Sequence, residues 1–502
     1  MTSNSANAAT SQRQQSAEKS TGLALTGAVC STLANFGAAI LVAKAGTAFA
    51  GVFFVATAFI SILGSSSCLG AMTGLVYFMP NALDKNGEPQ NVKPLLKVAL
   101  SPVITLSMVL GVAVFIFARP IAEIFGSESI NQLGAILRMS AIAIPAWAIS
   151  LVLFGATRAL GTLTPQVTIN QIFKPLAQII LLAILFFTSS NPDPALVGLA
   201  WALPIVASAI LAVFATINLG GLTQSDRTKN NRAEFWKYTR PRSISVALQI
   251  LLERLDVIIV SALSSDSLAG VYGAITRFIT AGNYLITSVA QANSPSLRKS
   301  ISNNENRKTK LLLNKVTGWM VLLTWPYFIV VAVKSEAVIA LMDSQFLPGK
   351  NSLTILAIGM TVSAFAGPID ATLLMLGKSR LSLLSTTIAL ILDVSLAWLL
   401  IPKYGIAGAA VAWVVAIVSF NLVSSFFVYK HSKLIATSKS SWLGATGALL
   451  FVTPIAMLTP QNFLGLLITG AIAGAALLAW IYLWAKDLNL EMIRKVRLSS
   501  GQ

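Results

Sequence analysis

Ionisable side chains are scarce in the long apolar runs of this sequence, so each one found there has to be explained chemically. Gln249, Glu253 and Asp256 are spaced i, i+4, i+7 and share one helix face. Arg254 projects about 100° away from Glu253, at the edge of that stripe. Arg277 lies about two turns into the next apolar run, and Lys174 stands beside Pro175, where a kink is expected. Asp370 follows Gly367–Pro368–Ile369, Asp393 falls in the middle of a later run, and Asn35 lies within the first. A charge at the centre of a bilayer costs at least ~2.5–3.5 kcal/mol, so such a group faces a cavity or a partner. Two chemistries follow. Arg277, Arg254 and Lys174, with Asn35, suit an anion held by charge-assisted hydrogen bonds. Asp256, Asp393, Glu253 and Asp370 suit a coupling cation, Na⁺ or H⁺. A structural alternative is that ion pairs such as Arg254–Asp393 or Arg277–Glu253 lock the helices together.

The elements that position these residues must be membrane helices. Apolar residues make up 55% of the 502-residue chain and charged residues only 11%, against roughly 25% charge in a soluble domain. The chain is nearly filled by runs of about 20 apolar residues, the span of a bilayer core. In lipid each backbone polar group must be satisfied within its own segment, which makes these runs helices. The roughly ten-residue alternating strands of a β-barrel are absent. Spans are expected at about 21–43, 48–80, 97–118, 133–158, 166–189, 195–217, 241–263, 268–292, 312–333, 352–375, 381–401, 406–429, 441–458 and 463–485. The sequence therefore predicts an all-α polytopic membrane protein with about fourteen transmembrane helices.

The charges test this count. With a cytoplasmic N-terminus, the inside segments hold 27 Lys and Arg residues. The outer loops hold six: Lys44, Arg119, Arg138, Lys334, Lys350 and Lys403. Lys174, Arg254 and Arg277 lie within spans. This skew follows the positive-inside rule, places both termini in the cytoplasm and makes the number of spans even. The net charge of +18 is thus chiefly a topology signal, with anionic lipid headgroups as secondary partners. All outer loops are short, which leaves no room for an external catalytic domain. Residues 1–20 read as a disordered cytoplasmic tail rather than a signal peptide, and 486–502 as a second cytoplasmic tail.

An internal repeat organises the spans. Ala50–Gly51–Val52–Phe53–Phe54–Val55–Ala56–Thr57–Ala58–Phe59–Ile60 and Ala269–Gly270–Val271–Tyr272–Gly273–Ala274–Ile275–Thr276–Arg277–Phe278–Ile279 are identical at six of eleven positions, at an offset of 219. Leu160–Gly161 echoes Leu376–Gly377, and Val197–Gly198–Leu199–Ala200–Trp201–Ala202 resembles Ala407–Gly408–Ala409–Ala410–Val411–Ala412. An offset of six spans keeps both halves in one orientation, a parallel repeat about an axis along the membrane normal. It predicts a six-helix bundle at 21–218, a basic cytoplasmic linker at 219–240 and a second six-helix bundle at 241–430. The bundles would enclose a central cavity, with two further helices at 441–485.

Several segments of the second half carry a family resemblance. They are Leu252–Glu253–Arg254–Leu255–Asp256, then Ala269–Gly270–Val271–Tyr272–Gly273–Ala274–Ile275–Thr276–Arg277, Leu376–Gly377–Lys378–Ser379–Arg380 and Ile401–Pro402–Lys403–Tyr404–Gly405–Ile406–Ala407–Gly408–Ala409–Ala410. In that order they resemble the polysaccharide transporter, or O-antigen flippase, family of the multidrug/oligosaccharidyl-lipid/polysaccharide exporter superfamily. The resemblance implies alternating-access flipping of a lipid-linked (undecaprenyl-pyrophosphate-type) oligosaccharide across a bacterial cytoplasmic membrane. On that reading the basic residues attract pyrophosphate and acidic sugars, and a cation binds near the seventh helix. Other glycan-assembly proteins would be partners. One departure concerns the related peptidoglycan-precursor flippases, which carry arginines in the first helix. Here that helix has Asn35 and no internal arginine, which favours another glycan.

Other residues are read as structural. Cys30 and Cys68 lie in apolar runs and form no metal-ligand spacing. His431 falls in a basic loop, and Trp147, Trp201, Trp325, Trp413 and Trp480 read as packing or interfacial anchors. Pro145, Pro204, Pro326 and Pro368 read as kinks. The basic run 227–242, with Trp236 and Tyr238, imitates a nucleic-acid patch but is expected to lie on the membrane, with no nucleic acid bound. No P-loop, catalytic centre or cofactor motif is present. A multidrug or metabolite/cation antiporter should carry an acidic cavity in its first half. Spans one to six hold Lys174 and no mid-span Asp or Glu, which favours an anionic cargo. A membrane glycan polymerase or glycosyltransferase would need a catalytic loop that this chain lacks.

Overall fold

The computed structural model describes residues 26–79, 92–189, 191–223, 232–303 and 305–483. The expected tails at 1–20 and 486–502, and 224–231 of the expected linker, lie outside the described residues. All the described regular structure is helical. In chain order the helices are α1 (Thr26–Ala43), α2 (Thr47–Ser66), α3 (Ala71–Phe78), α4 (Val92–Ile116), α5 (Ala118–Ile124), α6 (Ile130–Ser140) and α7 (Ala143–Ala159). A π-helical stretch, Gln166–Phe173, leads into α8 (Lys174–Thr188), followed by α9 (Pro194–Asn218), α10 (Arg232–Leu263), α11 (Asp266–Ser302) and α12 (Asn306–Val333). Then come α13 (Ser335–Ala340), a 3-10 turn at Ser344–Gly349, α14 (Lys350–Ala366), α15 (Ile369–Met375), α16 (Ser379–Tyr404) and α17 (Ile406–Ser432). The last are α18 (Lys439–Gly447), a second π-helical stretch at Ala448–Val452, α19 (Thr453–Leu458) and α20 (Phe463–Leu483).

Among the described residues, 11 segments are long and apolar enough to cross a membrane, or 12 if α6 and α7, bent by 42°, form one span. The protein is a multi-pass membrane protein. The difference from the expected fourteen falls on α10 and α11, which at 32 and 37 residues are long enough to cross. They miss on apolarity because they carry the charges: Glu253, Arg254 and Asp256 in α10, and Arg277 in α11. Residues 232–240 of the expected linker are helical and open α10.

Local sequence explains where the helices start and break. Asp193 caps α9 by accepting from the Ala195 amide at 2.9 Å, with Pro194 at the first helical position. Pro175 cannot donate to the preceding turn, and the break it causes is a π-helical widening ahead of it rather than a simple kink. Gly367, at φ +76, and Pro368 separate α14 from α15 at the expected kink.

The chain divides into two units. Unit 1 comprises Met1–Ala45 and Val52–Ile258, and unit 2 comprises Gly46–Gly51 and Ile259–Gln502. In unit 1 small residues let helices approach. A Cβ on Gly27 would strike Gln171, and one on Gly37 would strike Ile179. α1 therefore runs alongside, and parallel to, the segment leading through α8. The start of α10 packs on α3 through Tyr238 stacked on Tyr77 at 4.2 Å, and Ser243 Oγ donates to the Leu69 carbonyl at 2.8 Å.

Unit 2 contains a symmetric crossing. A Cβ added to Gly51 would fall against the Asp266 carbonyl oxygen and 2.8 Å from the Gly270 nitrogen. A Cβ added to Gly270 would fall against the Thr47 carbonyl oxygen and 2.8 Å from the Gly51 nitrogen. Thr47 and Ser267 hydroxyls hydrogen-bond at 2.6 Å beside this crossing. At the other end of the sequence, Lys334 is wholly buried and its ammonium donates to the carbonyls of Thr459 and Pro460. Gln461 Nε2 returns a hydrogen bond to the Val333 carbonyl at 3.0 Å, so the α19–α20 turn is stapled to the end of α12. Several exceptions to the basic-inside skew are thus held locally. Arg119 pairs with Glu123 at 3.3 Å, Lys350 with Glu336 at 2.7 Å, and Lys44 lies over the Phe187 ring.

Candidate functional site

The π-to-α junction places Lys174 in unit 1. Its Nζ donates to Asn170 Oδ1 at 2.6 Å, one turn earlier, and sits 4.8 Å from the centroid of the Trp147 ring on α7. Trp147 in turn stacks with Trp201 of α9, with centroids 6.1 Å apart and planes inclined by 29°. Buried Gln178 donates from α8 to the Trp201 carbonyl at 2.9 Å and so fixes α8 against α9 at this level. Lys174, Trp147 and Trp201 all keep part of their surface open.

Arg254, half-buried on α10, lies within electrostatic reach of Lys174 and of its neighbour Glu253. Two like charges from different helices thus act on each other in unit 1. Among the described residues, neither has a carboxylate at ion-pair distance. The polar stripe of α10 is split. Gln249 and Glu253 remain open, whereas Asp256 is buried and accepts from the Val257 amide at 2.8 Å. Asn35 donates to the Ser31 carbonyl at 2.7 Å, so its amide is turned onto its own helix.

The remaining candidates belong to unit 2. Arg277 is half-buried on α11. Asp393 on α16 is 1% exposed, and Asp370 accepts from Ser382 Oγ at 2.5 Å. Among the described residues no group of three or more His, Cys, Asp or Glu converges as a metal site would. From the sequence, Trp147 and Trp201 read only as packing or interfacial anchors. Their depth was the available signal: Trp147 lies near the middle of the α6–α7 pair and Trp201 two turns inside α9, whereas anchoring tryptophans lie at the interfaces. The spacing of Asn170 and Lys174, i and i+4, also marks them as neighbours on one helix face.

Comparison with known proteins places this geometry in a setting. The model of the MatE family matches residues 241–399. No curated protein matches in sequence. The inward closed conformation of the lipid II flippase MurJ is similar with a TM-score of 0.75 at 16% identity, covering 93% of this chain and 99% of that one. An inward-facing multidrug resistance MATE transporter of the MOP superfamily is similar with a TM-score of 0.63 at 14% identity, covering 82% of this chain and 98% of its own. A MOP superfamily transporter from Pyrococcus furiosus is similar with a TM-score of 0.60 at 17% identity, covering 83% and 95%. The chain shares its fold with these three transporter structures.

Proposed function

We propose that the protein flips a lipid-linked oligosaccharide of the undecaprenyl-pyrophosphate type across the bacterial cytoplasmic membrane, by alternating access, during polysaccharide biosynthesis. The observation that carries this reading is Lys174, held within unit 1 between Asn170 and the Trp147 ring and within electrostatic reach of Arg254. Bringing two cations together in a low-dielectric setting costs free energy that a bound anion offsets. A pyrophosphate supplies that anion and accepts charge-assisted hydrogen bonds from both groups. Arg277 would serve the same cargo, with Asn35 at the periphery. Asp256 and Asp393, with Glu253 and Asp370, would hold the coupling Na⁺ or H⁺.

This reading takes α10 and α11 as spans, giving fourteen in a six-plus-six-plus-two arrangement with both termini cytoplasmic. The paired geometry of Gly51 and Gly270, which occupy matching repeat positions, supports the parallel repeat. The multidrug transporter structure uses 98% of its own length to cover 82% of this chain, which leaves length for two appended helices. Membrane lipids and other glycan-assembly proteins are the expected partners.

A second reading, a peptidoglycan precursor as cargo, draws on the likeness to a lipid II flippase over 93% of the chain. Against it stands α1, which carries Asn35 and no arginine. A multidrug antiporter for cationic compounds is opposed by the same two cations that favour an anionic cargo.

The test is flipping of a fluorescent undecaprenyl-pyrophosphate oligosaccharide in proteoliposomes. Wild-type protein should flip it, and the Lys174→Gln/Arg254→Gln double variant should not. Equal flipping by both, or none by the wild type, would overturn the assignment.

A further inference from the structure

We propose that Trp147 is a stacking platform for the sugar ring next to the pyrophosphate, and that it sets the preference for a glycosylated over a bare carrier. The inference rests on the flippase reading and names a specificity-determining residue for it. An ammonium in the middle of a span cannot lie among acyl chains. The Trp147 face that bears Lys174 therefore turns toward the protein interior, and the residue is only partly buried. Trp201 stacks on it and Gly64 abuts its Cβ, so neighbouring helices fix the ring. An aromatic face carries negative charge density. It attracts the ammonium on one part and the polarised C–H groups of a pyranose on the rest.

The separation fits this division of labour. Lys174 Nζ is 4.8 Å from the ring centroid, so a phosphate oxygen bound to the ammonium puts the next group of the ligand over or beside the indole. In a lipid-linked glycan that next group is a sugar. An aromatic platform beside two cations thus reads both features of the headgroup, its charge and its first ring.

Purified protein in lipid nanodiscs would be titrated with two probes, undecaprenyl pyrophosphate and the same carrier bearing a disaccharide. The wild type should bind the glycosylated probe more tightly. Trp147→Ala should weaken that probe about tenfold, or 1.4 kcal/mol, and leave the bare carrier within about twofold. Trp147→Phe should retain much of the preference and Lys174→Gln should weaken both probes. If Trp147→Ala does not fold, Trp147→Leu against Trp147→Phe makes the same comparison, the leucine losing the preference. Loss of affinity for both probes by the same factor, or for neither, overturns the stacking role alone. A wild type that binds neither probe overturns the flippase reading with it.

Discussion

Each unit holds a lysine inside the protein, and the two are treated differently. Lys334 in unit 2 is wholly buried, and two backbone carbonyls of the α19–α20 turn accept hydrogen bonds from its ammonium. Lys174 in unit 1 keeps part of its surface open, and its neighbours are one amide oxygen, one aromatic face and, within electrostatic reach, a second cation. An ammonium has three protons to donate. The first lysine spends its protons on fixing a turn, while the second retains capacity for a ligand. Burial alone therefore does not distinguish a structural cation from a functional one; the nature and number of its acceptors do.

The largest effect should come from emptying the basic site. A hydrogen bond to a charged group contributes about 1.5–3 kcal/mol. Losing two in Lys174→Gln/Arg254→Gln corresponds to a loss of transport of at least about 100-fold. Membrane insertion and the melting temperature should be preserved or improved, because the substitution also removes the repulsion. A variant that melts early and still transports would place Lys174 with Lys334, as a structural cation.

One further charge from each unit extends the comparison, Asp256 in unit 1 and Arg277 in unit 2. Arg277→Ala and Asp256→Asn should each abolish surface glycan in a complementation assay while the protein inserts normally. Full glycan export by both would remove these residues from the site.

Much of this contrast was legible in the sequence, but not all. Lys174, Arg254 and Arg277 stand out because a charge inside an apolar run is conspicuous whatever its surroundings. The helices themselves were legible for the same reason, since about 20 apolar residues admit one solution in lipid. α10 and α11 carry charge inside their apolar runs, and there composition and length point in different directions. The partners were not legible. Trp147 meets Lys174 because a π-helical stretch turns α8 at that point, and the sequence announces only that Pro175 disturbs something. Lys334 reads as an ordinary outer-loop cation because its acceptors lie more than a hundred residues further on. The stripe of Gln249, Glu253 and Asp256 was correct as a spacing, yet helical periodicity alone could not show that Asp256 is buried while Glu253 stays open.

A smaller effect tests the repeat. Gly51 and Gly270 meet each other's chain in mirrored fashion, with no space for a methyl group on either. Overpacking of this kind costs about 1–3 kcal/mol. Gly51→Ala and Gly270→Ala should therefore lower the melting temperature by similar amounts, measured in detergent on the purified protein. A large cost at one position and none at the other would show that the crossing is not the symmetric contact of two equivalent segments.

The smallest effect on transport is expected where the burial is deepest. Lys334→Met keeps the length of the side chain and removes the ammonium. The carbonyls of Thr459 and Pro460 then lose their donor in a buried setting, at a cost of about 1–3 kcal/mol each way the turn fails to recover. Gln461 still holds the Val333 carbonyl, so the turn should loosen rather than detach. The expected result is a lower melting temperature with flipping within about twofold of the wild type. Lys174→Met should give the reverse, with stability kept and flipping lost. The pair forms a cross-over test on two substitutions of one chemistry. If both variants lose transport and neither loses stability, acceptor count has failed as a guide, and Lys334 belongs to the transport machinery as well.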